Sequence, residues 1–100
     1  MGEPTNHVSL LISFQRALLG AVHRELRQAS IEADPVSHRI TVRYEYDGKP
    51  SDEALESGSV AATEVIADFL EPWTIHEEHV EALFPQKLKP ARYVAYARAE

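Results

Sequence analysis

No cysteine occurs in this 100-residue chain. That excludes disulfides, thiol catalysis and cysteine-ligated zinc or iron–sulfur sites, and a cytoplasmic location is expected. A long apolar run is missing as well. The stretch "VSLLISF", Val8 to Phe14, follows an acid, Glu3, and is broken by Gln15 and Arg16. It is expected to be neither a signal peptide nor a membrane span. Bases are scarce where acids crowd. From Glu45 to Glu81 eleven acids meet one base, Lys49, whereas residues 1–44 hold five bases against four acids and residues 82–100 four against one. Phosphate would be repelled by such a centre, so direct nucleic-acid binding is not expected. The same field favours a basic protein partner; plain solubility is the blander reading.

What is present suits one folded domain spanning 1–100, with residues 1–6 expected as an unordered lead-in. The 44% hydrophobic and 26% charged composition is near the globular average. A chain this size buries about two-thirds of its unfolded surface, enough for one core but not for a core and a deep pocket.

Apolar residues at helical spacing (Val8, Leu11, Ile12, Leu18, Leu19, Val22) predict a helix over about 7–23, capped by Asn6. Leu11, Leu18 and Leu19 are its expected core residues. The period then becomes two. Arg27, Ala29, Ile31 and Ala33 alternate with polar neighbours, and after the turn "DPVS" so do Ile40, Val42, Tyr44 and Tyr46. These strands form a hairpin. "YDGKPSDE" closes it, and Ser51 caps a second helix running to about 70. Leu55, Ala62, Val65, Ile66 and Phe69 form the expected buried face of that helix. Gly58 and Ser59 also point inward, which predicts close approach by a neighbour. Ala91–Arg98 alternates again and reads as a strand.

Thr74–Phe84, "TIHEEHVEALF", is the ambiguous segment. Local propensity favours a helix. A three-stranded sheet would cover two helices poorly, so a strand is chosen, with Val80, Ala82 and Phe84 toward the core. The histidines are spaced i, i+3, not the i, i+4 of a zinc-protease helix. In a strand His76 and Glu78 share one side and Glu77 and His79 the other, so neither side gathers three metal ligands. They are read as solvated edge residues. No metal, no cofactor and no catalytic residue are expected, and the chain is not expected to be an enzyme. The resulting fold class is α+β in the order αββαββ, a four-stranded, mostly antiparallel sheet with two helices packed on one face.

The second helix carries the sharpest functional signal. At about 100° per residue, Glu53, Glu56, Glu64, Asp68 and Glu71 fall on one stripe with no base among them. Stacked like charges each cost a few tenths of a kcal/mol, and Asp68 and Glu71 oppose the helix dipole. A stripe kept against those costs is read as partner-binding; a merely solvated face is the plain alternative. Tyr44, Tyr46, Asp47 and Trp73 are secondary candidates for partner contact.

"SLLISFQRALLGAV", "RITVRYEYDGK" and "EVIADF" together resemble small acidic bacterial immunity proteins of polymorphic or contact-dependent growth inhibition toxin systems. The resemblance covers Ser9 to about Phe69. It implies a non-catalytic inhibitor whose acidic surface covers a basic toxin domain; it supplies no functional residue, so the acidic stripe rests on the helix pattern alone. A self-associating interaction module, possible as a homodimer, is the alternative.

Overall fold

The computed structural model describes residues 3–100. Its elements are α1 (His7–Ala17), β1 (Leu26–Asp34), β2 (Arg39–Tyr46), α2 (Asp52–Ala67), β3 (Thr74–Glu81) and β4 (Val94–Ala97), the expected αββαββ order. Strand order in the sheet is β3-β2-β1-β4. β1 pairs antiparallel with both β2 and β4, while β2 and β3 run parallel. The parallel pair follows from length. Sixteen residues of α2 span about 24 Å and an eight-residue strand about 26 Å, so the helix carries the chain back to the end where β2 began.

β2 sits inside the sheet because its alternation is the cleanest. Ile40, Val42, Tyr44 and Tyr46 face the helices with Ala29 and Ile31 of β1. Both helices cover that face. Phe14 of α1 meets the Tyr44 ring edge-on at 5.8 Å, and the Tyr44 hydroxyl donates to the Gly58 carbonyl of α2 at 2.7 Å. Between Leu26 and Gln28 the β1–β2 register slips, and Arg27 is the extra residue of that bulge. Leu26, not Arg27, therefore enters the core.

α1 is shorter than its apolar pattern predicts. Leu18 caps it, Leu19 N–H bonds back three residues to Arg16, and Gly20 takes a left-handed φ of +78° that turns the chain away. Its core residues are Leu10, Phe14, Ala17 and Leu18, while Leu11 is half-buried and Leu19 is 81% exposed. Apolar residues surround this helix, so periodicity alone could not select the inner face. Residues 3–6 form a turn: Asn6 N–H donates to the Glu3 carbonyl at 3.0 Å, Pro4 is buried, and the Asn6 side chain accepts from Val8 N–H at 2.9 Å. Residues 1 and 2 of the expected lead-in lie outside the described residues.

The Ser51 hydroxyl accepts from Ala54 N–H at 3.1 Å, capping α2 as its sequence predicts. The buried face of the helix is small: Ala54, Gly58, Ala61, Ala62 and Val65, joined beyond its end by Phe69. Leu55 and Ile66 are only half-buried and Ser59 is exposed. Thr74–Glu81 is a strand, as sheet coverage demanded. Ala82 just beyond it is buried, but Val80 lies opposite Glu45, on the side away from the helices, and Phe84 is half-exposed. β4 is four residues, shorter than the Ala91–Arg98 expectation. No helix among the described residues is long and apolar enough to cross a membrane.

Candidate functional site

The outer surface of the helical layer is where the acidic stripe lies. Glu53, Glu56 and Glu64 are exposed along α2. Asp68 is the C-cap of the helix and Glu71 lies past its end, next to the Pro72 turn, so the stripe holds on the helix for three residues and bends away for two. Among the described residues none of these five acids lies in an ion pair. Asp68 has one fixed partner: the buried Ser13 hydroxyl of α1 donates to it at 2.6 Å. No base occupies the last turn of α2, so Asp68 stands against the negative end of the helix dipole without local compensation.

A groove of about 380 Å³ separates α2 from the turn after α1, with Glu53, Glu56 and Glu64 on one side and Ala17, Leu19 and His23 on the other. It continues as a cleft of about 280 Å³ toward Asp68, where Arg16 of α1 also lines the wall. Arg16 is the base that a reading of α2 by itself could not see.

The secondary candidates fare differently. Tyr44 and Tyr46 are 1% and 2% exposed and belong to the core, not to a contact surface. Burial raises both phenol pKa values above the ordinary range, so the rings stay neutral. They share the face of β2 that carries Ile40 and Val42, which is the core face. Asp47 is half-buried and committed, accepting from Phe84 N–H at 2.8 Å and pairing with Arg98 at 2.9 Å. These two contacts, the backbone one first, hold its carboxyl below the usual range. Trp73 packs half-buried on the core with His38 edge-on at 5.3 Å.

The paired histidines divide as the strand phase requires. His76 and Glu78 lie 3.7 Å apart at the surface. His79 is not a solvated edge residue. Its ring stacks on Tyr44 and Tyr46 at 5.0 and 5.9 Å, its Nδ1 hydrogen-bonds the Tyr46 hydroxyl at 2.8 Å, and its Nε2 meets Glu77 at 3.1 Å. Ser59 donates to the same Glu77 oxygen at 2.8 Å. A Cβ on Gly58 would stand 2.9 Å from His79 and 3.1 Å from Tyr44, which is the close approach its sequence position predicts. The set ties the sheet edge to α2. It contains a histidine and a carboxylate; the small space beside Tyr44 and Tyr46, about 10 Å³, is lined by neither. Among the described residues no group of three or more His, Asp or Glu is placed to hold a metal ion.

The molecule is thus a two-layer α+β fold with carboxylates along the groove beside α2 that, among the described residues, lie in no ion pair. A family model described as MafI2 immunity protein matches residues 7–100, and the chain belongs to that family. Membership carries the coarse function, neutralisation of a toxin. No curated protein matches the chain.

Proposed function

We propose that this immunity protein neutralises its toxin without catalysis, cofactor or metal, by laying the acidic face of α2 against a basic surface of the toxin in the cytoplasm. Glu53, Glu56, Glu64, Asp68 and Glu71 supply that face. The observation that carries the reading is that, among the described residues, none of these five acids lies in an ion pair although they share one side of the molecule. Opposite charge on a partner would relieve their repulsion and steer encounter. Trp73, beside Glu71 at the end of the face, is a candidate for the rim of the contact.

The test is the double charge reversal Glu56→Lys with Glu64→Lys, chosen because among the described residues neither side chain lies in an ion pair. The probe is the cognate toxin domain. The expected result is a folded variant that fails to protect co-expressing cells, with a slower on-rate at low salt and a flatter salt dependence. A folded variant that protects and binds like wild type would assign the acids to solubility alone.

A further inference from the structure

The groove beside the acidic face has an apolar component that electrostatics does not explain. Leu19, 81% exposed, and Val60, 53% exposed, both line the section walled by Glu53, Glu56 and Glu64, and Leu19 and Glu64 continue into the section that reaches Asp68. Single exposed hydrophobes are ordinary. Here one from α2 and one from the turn after α1 border a concave surface rich in carboxylates.

That combination matches the chemistry of long basic side chains. Lysine and arginine bury aliphatic stems on apolar surface while the charged head stays at a polar edge. We propose that the α1–α2 groove is the anchor site for a lysine- or arginine-bearing segment of the toxin, with Leu19 and Val60 holding the stems and the carboxylates receiving the heads. This rests on the reading that the toxin docks on the acidic face, and adds where the lasting part of the contact is made. A second copy of this chain is the poorer occupant, because it would bring the same carboxylates against one another. The acids then govern arrival, and the apolar pair governs departure.

Two measurements test the proposal. The first is the dissociation rate of the cognate toxin domain from Leu19→Ser with Val60→Ser. The expected result is an off-rate about tenfold faster with the salt dependence of wild type. The second uses the absence of cysteine. Leu19→Cys and Val36→Cys, each blocked with a polyethylene-glycol maleimide, are titrated against the same domain. Val36, 89% exposed, is in the turn at the far end of the hairpin. The Leu19 adduct is expected to lose binding and the Val36 adduct to keep it. A wild-type off-rate in the serine variant, together with full binding by the Leu19 adduct, overturns the proposal. If Glu56→Lys with Glu64→Lys still weakens binding in that case, only the groove is wrong; if the charge reversal is also silent, the acidic-face reading fails with it. A wild-type chain that is dimeric alone and becomes monomeric in the serine variant would assign the groove to self-association, and overturn the proposal as well.

Discussion

Two charged regions of this domain are built on opposite logic. At the bulged end of the hairpin, charges are paired. Arg27 donates two hydrogen bonds to Glu100, at 2.6 and 2.8 Å, and others to the carbonyls of Ala82 and Gln86; Arg98 bridges Asp47 and Glu100. Buried Glu45 is bonded by Gln28 at 3.0 Å, with Arg43 3.9 Å away, although the Arg43 Nε itself makes no hydrogen bond. Those charges fasten the C-terminal segment to the sheet. Of the five carboxylates of the stripe, three lie along α2 and two at or past its end, and among the described residues none has an ionic partner. The difference separates structure from function: a charge satisfied internally contributes to the domain, and one left open on a regular helix is available to something else.

Arg27→Ala should break the paired region most severely. It removes the donor to four acceptors on three segments and the cation over the Phe84 ring. Thermal unfolding should show the largest midpoint loss among the variants described here. A near-wild-type midpoint would show that the cluster is ornamental. Gly58→Ala probes the seam between the regions. Alanine favours helix by about 1 kcal/mol, yet the added methyl meets His79 and Tyr44 inside normal contact distance. Overpacking of this kind costs about 1–3 kcal/mol, so a modest net destabilisation is expected in denaturant titration. A gain in stability would mean that the β3 edge yields easily.

Acid sharpens the contrast. Glu100 and Asp47 both titrate below their ordinary range, Glu100 chiefly through the hydrogen bond from Arg27 and Asp47 chiefly through the Phe84 N–H. A depressed carboxyl contributes stability that is present above its unfolded pKa and is lost as pH falls through the folded one. The C-terminal segment should therefore loosen below the ordinary carboxylate range, read as faster amide exchange in β4 before β2 responds. Simultaneous loss of protection in both strands would deny the clamp its separate role. The smallest stability change is expected for Glu56→Lys with Glu64→Lys, within about 0.5 kcal/mol as for other surface sites, checked by the same denaturant titration. A larger loss would mean that the acids have structural partners after all.

Period-two alternation, the Ser51 cap and the turn at Asp47-Gly48 were local signals, and they determined the hairpin and the start of α2 without help. Gly58 announced a close neighbour in the same way, because glycine inside a helix is costly unless something needs the room. Other decisions were tertiary. Which side of α1 turned inward depended on the sheet and α2 meeting it, since Leu10 and Phe14 are no more apolar than Ile12 and Leu19. Thr74–Glu81 became a strand against its propensity because the edge of β2 offered a row of unpaired backbone groups that a helix could not satisfy. Tyr44 and Tyr46 went to the core because both helices cover their face of the sheet. The acids were visible in the sequence as a run of one sign. That Glu45 and Asp47 would be bonded within the fold and Glu56 and Glu64 left open was decided only when distant segments came together, because pairing is set by distance in space, which the order of residues does not record.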